Sequence, residues 1–334
     1  MSEVLRIALS GVTALVIAAV IAPLVLRIAR RFKAGQTVLS YMEHHMSKSG
    51  TPTMGGWIFI ISACASALIF GFGRPAQIAA AIMLSYAIVG FLDDFIKVKF
   101  KQNMGLRAYQ KIIAQLGIAV LAAVFCYRAE FVGTAIHLPF STRLYDISFW
   151  VIPLVIFLFI AMTNAVNLTD GLDGLAGFTG AVYFAAFTVI IFLLQRDAAV
   201  SGDSVRAEAL LSLAVFSASV LGGVLGFLLL NSYPAKIIMG DTGSLALGGA
   251  AATVAVFSRE PLLIAFAGIM YVVSCISVIV QVSYYKLTKK RVFLMSPFHH
   301  HLEKKGWHEA KITAVYVIVT AAFGLISILA AGVV

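Results

Sequence analysis

Apolar residues in this chain fall into long runs rather than the alternation of a strand or the single stripe of a surface helix. Ten runs stand out, over 6–28, 56–72, 77–96, 112–128, 148–166, 175–195, 208–230, 243–257, 261–286 and 311–332. A bilayer crossing takes about 20 apolar residues, with a lower limit near 17. The second and eighth runs lie at or below that limit. Segments apolar on all sides are helices buried in protein or lipid. The pattern therefore predicts an all-α polytopic membrane protein with ten transmembrane helices, forming one integral membrane domain over residues 1–334. The first run lacks a small-residue cleavage site and is too long for a signal-peptide core, so it reads as a transmembrane helix.

Polar residues interrupt this pattern at few places, and one stretch concentrates them. NAVNLTDGLDGLAG, Asn164 to Gly177, sets two Asn, one Thr and two Asp between two apolar runs. A carboxylate at the edge of hydrocarbon is costly and marks function by default. A helix-joining turn with a capping Asn or Asp is the competing reading, but a cap uses one or two such residues. The stretch reads as one wall of a polar site at a membrane face.

Charge gives the chain an orientation. If the loops after odd-numbered spans are grouped together, they carry eighteen of the 25 basic residues, including every lysine. The positive-inside rule makes that face cytoplasmic and puts both termini on the periplasmic side. The same face holds the chain's entire formal net charge of +10. Attraction to anionic lipid headgroups accounts for basic clusters such as Lys289–Lys290–Arg291. It does not account for the acidic residues that gather there too. Only 12% of residues are charged and the mean hydropathy is +0.97, which sets the chain apart from soluble domains. No nucleic-acid partner is expected. Cys64, Cys126 and Cys275 have neither metal-site nor disulfide spacing and read as small hydrophobes.

Three acidic points reach the same predicted depth from distant parts of the chain. Asp93 and Asp94 end the third span, Asp170 and Asp173 follow the fifth, and Asp241 opens the eighth. Clustered carboxylates repel unless a cation lies among them. Hard oxygen ligands beside lysine, with no cysteine, suit Mg²⁺ better than zinc. Lys48 precedes TPTMGG, with Thr53 inside it, and Lys111 begins the fourth span. Gly240 to Ser244 starts the eighth span, where free helix N–H groups favour an anion. There is no Walker-type loop, so phosphate would be held by scattered lysines and metal. In SPFHHHLEKKGWHE, His299, His300 and His301 are consecutive; their side chains diverge by about 100° per residue on a helix. Joint chelation is thereby disfavoured. Polar contact with a phosphate or sugar, or a solvated basic loop, remain the two readings.

TPTMGG, GFLDD, NAVNLTDGLDGLA, NSYPAKIIMGDTGS and PFHHHLE occur in this order and span most of the chain. On these motifs the sequence resembles the polyprenyl-phosphate N-acetylhexosamine-1-phosphate transferases, and PFHHHLE points to their muramoyl branch. The resemblance implies ten transmembrane helices and a homodimer in the bacterial inner membrane. It implies transfer of phospho-MurNAc-pentapeptide from UDP-MurNAc-pentapeptide to undecaprenyl phosphate, giving lipid I and UMP with Mg²⁺. Asp93 and Asp94 match the family's paired catalytic aspartates and Asp241 its metal-binding aspartate. Lys48, Thr53, Lys111, Asn164, Asn167, Asp170, Asp173, Asn231 and His299 to His301 match positions linked to substrate binding or catalysis. Gly240 and Ser244 are expected to join them at the substrate. Other readings are a sister transferase using UDP-N-acetylglucosamine, an ion-coupled transporter, and a scaffold binding anionic lipid. A transporter would place its carboxylates near mid-bilayer with an inverted repeat, whereas these lie at span ends.

Overall fold

The computed structural model describes residues 1–31, 50–71, 73–100 and 105–331. Lys48 therefore lies outside the described residues. The elements in chain order are α1 (Glu3–Arg31), α2 (Trp57–Phe70), α3 (Arg74–Phe100), α4 (Ala108–Arg128), a hairpin of β1 (Ala135–His137) and β2 (Leu144–Asp146), α5 (Val151–Thr169), α6 (Leu175–Val200) and α7 (Ser204–Asn231). They continue with α8 (Gly240–Phe257), α9 (Ile264–Ala267), α10 (Ile269–Thr288), α11 (Phe298–Lys304) and α12 (Glu309–Ala330).

Among the described residues, eight helices are long and apolar enough to cross a membrane: α1, α3, α4, α5, α6, α7, α10 and α12. The protein is a multi-pass, all-α membrane protein apart from the hairpin. The two runs read as short form α2, with 14 residues, and α8, with 18. The run at 261–286 is not one helix. Pro261 opens a 3-10 turn, α9 follows, and Gly268 at φ −98°, ψ 20° ends α9 before α10 begins. The hairpin pairs Ala135–His137 antiparallel with Leu144–Asp146. Three-residue strands in a loop leave too little alternation to be read from sequence.

The bundle is built around α7 and α8. α7 packs on α1, α2 and α6, while α8 packs on α3 and α5. Every residue of α8 from Thr242 to Phe257 is buried, as its all-round apolar sequence requires. The large core joins residues from all these helices. A smaller apolar cluster, with Leu172, Leu175, Met270, Leu302, Ile312 and Tyr316, anchors α11 and α12. Many buried hydroxyls bond nearby carbonyls, which suits lipid surroundings. Ser66 donates to the Ser10 carbonyl at 2.6 Å and Tyr183 to the Ala251 carbonyl at 2.9 Å.

Candidate active site

α3 and α8 pack side by side, and their contact sets the site. Gly90 lies against the backbone of Asp241, where a Cβ would collide with the Asp241 carbonyl. One turn further along α3, Asp94 reaches the start of α8. Its Oδ2 accepts from the Thr242 N–H at 2.9 Å and the Thr242 hydroxyl at 2.7 Å, and its Oδ1 from the Asp241 N–H at 3.1 Å. A carboxylate satisfying free N–H groups at a helix start is a cap, favoured by the helix dipole as well. Gly240 takes φ +75°, open to glycine, and sits where Asp94 and Thr53 crowd it. The Thr53 segment is fixed there by paired backbones: Gly55 N–H donates to the Ile238 carbonyl at 2.8 Å and Gly56 N–H to the Met239 carbonyl at 3.0 Å.

The capped helix presents Asp241 to a cluster of charges. Its Oδ2 lies 2.9 Å from both Lys97 Nζ and Lys111 Nζ. Its Oδ1 accepts from Asn167 Nδ2 at 2.6 Å, and the same amide donates to Ser244 Oγ at 2.8 Å. Lys97 also lies 2.6 Å from Asp93 Oδ2, and Asp93 Oδ1 accepts from the Leu106 N–H at 2.8 Å. Oxygens of Asp93, Asp94 and Asp241 all fall within 4.8 Å of one another. Three hard oxygen donors at that spacing fit a divalent cation of the Mg²⁺ type.

Asp170, at the end of α5, belongs to the same field. Burial first, then the carboxylates of Asp241, Asp94 and Asp173, hold its carboxyl well above the usual carboxylate range. Asp173 and Asn231 pin the loop between α5 and α6. Asp173 Oδ2 accepts from the Ala235 N–H at 2.9 Å, and its own N–H donates to Glu309. Asn231 accepts from the Gly174 N–H at 3.2 Å and donates to the Ile237 carbonyl at 2.9 Å.

The histidine run is a short helix, not a solvated loop. His299 is fully buried and packs on Gly171; His300 Nδ1 lies 2.6 Å from Glu303 Oε2. His301 Nδ1 accepts from the Leu294 N–H at 3.1 Å. Burial and then Lys305 hold the His301 imidazole below its ordinary value, so it is neutral at neutral pH. The His299 and His300 rings touch, with centroids 4.3 Å apart, while the His301 ring packs on Phe293 and Phe298.

A family model described as glycosyl transferase family 4 matches residues 76–259. The phospho-N-acetylmuramoyl-pentapeptide-transferase of Desulfitobacterium hafniense is 42% identical over 331 residues, covering 97% of each chain. That of Caldanaerobacter subterraneus subsp. tengcongensis is 44% identical over 293 residues, 87% of this chain and 88% of the relative. That of Clostridioides difficile is 38% identical over 327 residues, 96% of each. The chain belongs to this transferase family.

Within this family member, the structure gathers Asp93, Asp94, Lys111, Asn167, Asp241 and Ser244, with Thr53 and Gly240 beside them. It does not bring Asn164 to the carboxylates. That amide donates to Gln115 Oε1 at 2.7 Å, a turn deeper between α4 and α5. Lys97 also joins the centre and was not singled out from the sequence. The i, i+4 spacing from Asp93 on a helix was the available signal. Glu309, which holds the Asp173 loop, was missed because 136 residues separate the two.

Proposed function

We propose that this protein transfers phospho-MurNAc-pentapeptide from UDP-MurNAc-pentapeptide to undecaprenyl phosphate, releasing UMP, at a Mg²⁺-dependent site formed by Asp93, Asp94 and Asp241. The observation that carries the reading is the convergence of these three carboxylates with two lysines, in a chain that aligns end to end with named transferases. The fuller architecture proposed with it is a single domain of ten spans, in which α2, α8 and the broken α9–α10 supply spans. Both termini are periplasmic, the site is cytoplasmic, and the protein is a homodimer in the inner membrane. The confinement of all lysines to one set of loops supports that orientation.

The acceptor phosphate is mostly dianionic at neutral pH, since its second pKa is near 6. It needs little help from a base. The barrier is the approach of one anion to another. When bound at Asp241 and Asp93, Mg²⁺ supplies charge neutralisation on the diphosphate and on the departing UMP oxygens. Lys111 and Lys97 add fixed positive charge beside it. Asn167 orients the Asp241 carboxylate, and Asp94 acts chiefly by holding the start of α8 in place. Asp93, buried and paired with Lys97, orients the acceptor phosphate through that lysine and the metal. Thr53, Gly240 and Ser244 line the donor side. Asp170, Asp173 and Asn231, with Asn164 behind, shape the wall facing the nucleotide. The helix of His299, His300 and His301 closes that wall, and Lys48 contributes from its own segment.

The deciding assay is UMP release by the purified protein with undecaprenyl phosphate and either UDP-MurNAc-pentapeptide or UDP-N-acetylglucosamine. Turnover with the first donor, abolished by chelation of divalent cations, is expected. Turnover with the second donor alone, or none with either, overturns the reading. A phospho-enzyme trapped with donor alone would replace direct transfer by a two-step route through an aspartate.

A further inference from the structure

We propose that Lys97 is a built-in counter-cation of the acidic centre. It vacates the Asp93–Asp241 edge when a divalent ion binds there, and its ammonium then turns to the donor's phosphates. The inference rests on the metal-dependent transfer proposed above.

The geometry creates a conflict between lysine and metal. Lys97 Nζ bridges Asp93 Oδ2 at 2.6 Å and Asp241 Oδ2 at 2.9 Å. Lys111 Nζ lies 2.9 Å from that same Asp241 oxygen. One carboxylate oxygen therefore already meets two ammonium groups, while Asn167 holds the other at 2.6 Å. Magnesium approaches its oxygen ligands to about 2.0–2.1 Å, closer than an ammonium comes. A divalent ion held by Asp93 and Asp241 would lie on the edge that Lys97 occupies. Two cations within about 4 Å repel strongly away from bulk water.

Of the two lysines, Lys97 is the more exposed. It sits in the last turn of α3 with 34% of its side chain exposed, against 16% for Lys111. Lys111 is also within 3.5 Å of Asn167 Oδ1. A flexible four-carbon stem lets Lys97 swing to the rim while its Cα stays fixed, which keeps the charge beside the incoming diphosphate. The same arrangement explains how the carboxylates stay together before any metal arrives. Lysine answers part of their mutual repulsion in the folded chain. Metal binding replaces that charge and frees it for substrate.

The test uses the full chain in lipid nanodiscs, without substrate, titrated with Mn²⁺ and read by electron paramagnetic resonance of the free ion. Lys97→Met keeps the stem and removes the charge. It should bind Mn²⁺ about tenfold or more tightly than the wild type, because an adjacent cation no longer opposes the ion. Its KM for the nucleotide donor should rise as the freed ammonium is missing. Lys97→Arg should bind as weakly as the wild type. Lys97→Gln, titrated in parallel, guards against one substitution that folds poorly. Adding Asp241→Asn to Lys97→Met should abolish the tight binding. Equal or weaker Mn²⁺ affinity in both neutral variants overturns the proposal, and so does tight binding that survives Asp241→Asn. Wild-type UMP release measured on the same preparation separates the two failures. Turnover with unchanged Mn²⁺ affinity sinks only the counter-cation. No turnover sinks the transfer reading, whatever the titration gives.

Discussion

The two ends of α4 and α8 both carry buried charge, and they use it differently. At the far end, Arg206 donates to the carbonyls of Phe131 at 2.7 Å and Ser258 at 3.0 Å, while Arg259 donates to those of Val132 and Glu130. His137 Nδ1 lies 2.8 Å from Glu260 Oε1, and its N–H donates to the Arg259 carbonyl at 2.9 Å. The two arginines bind backbone, and the His137–Glu260 pair joins the hairpin to the end of α8. At the near end, three carboxylates crowd together and the lysines bind carboxylates, not carbonyls. Charge engaged by the chain's own backbone builds architecture. Charge of one sign held in contact with itself keeps capacity for something else, and that is a signature of a working site.

The sharpest way to break this contrast is at Asp241. Asp241→Asn should lower UMP release by on the order of a thousandfold at any donor concentration, since charge stabilisation at the reacting phosphates is the largest single contribution. Near-normal turnover would make the near end as architectural as the far one.

Asp94 tests the boundary between the two uses, because it stands in the acidic centre yet bonds a helix start. Asp94→Ala should cost about 1–3 kcal/mol of stability by thermal unfolding in detergent, with the N–H groups of Asp241 and Thr242 left without their acceptor. Asp94→Asn, which keeps an acceptor, should lose less. If Asp94→Asn melts like the wild type and is as inactive as Asp241→Asn, the carboxylate has a chemical duty beyond capping.

At the far end the split should invert. His137→Ala removes the contact with Glu260 and should lower stability by about 1–2 kcal/mol. UMP release per folded protein should stay within about twofold, the range expected for changes remote from a site. A large loss of turnover at full stability would show that the far end reaches the chemistry.

Asp170 gives the smallest effect, and its sign is fixed. Its folded-state carboxyl titrates above the ordinary range, first through burial and then through neighbouring carboxylates. The stability it contributes is present below the unfolded pKa and is lost as pH rises through the folded one. Asp170→Asn cannot undergo that loss. The variant's melting temperature relative to the wild type should therefore rise as pH climbs above the ordinary carboxylate range, about pH 4. A difference that stays flat or falls would mean the carboxyl is not held in its protonated form.

Much of this was legible in the sequence, for identifiable reasons. Carboxylates are so costly at the edge of hydrocarbon that Asp93, Asp94 and Asp241 marked themselves, and loop alternation put them on one face. The division of labour among them was not legible. Asp94 caps α8 only because Gly90 lets two backbones touch, and no local pattern encodes a contact 147 residues apart. Asn231 and Asp173 were legible as polar residues of the site, but the backbone groups they hold were not: Asp173 accepts from the Ala235 N–H and Asn231 from the Gly174 N–H. The histidine run left two readings open, a polar contact with substrate or a solvated loop; Leu302 and Tyr316 draw its helix into an apolar cluster. Gly268 and Pro261 did not stand out as a break inside an apolar run, because lipid-embedded helices tolerate both.

α3 runs from Arg74 to Phe100, and Asp93 lies nineteen residues above its first residue. At about 1.5 Å per residue that is about 29 Å, close to the hydrocarbon thickness of an ordinary bilayer. In the orientation proposed above, helix length would act as a ruler that holds the reacting groups at the plane where acyl chains give way to headgroups. Lipids with longer tails would submerge that plane, and shorter ones would lift it into water, so membrane thickness itself becomes a setting on the enzyme.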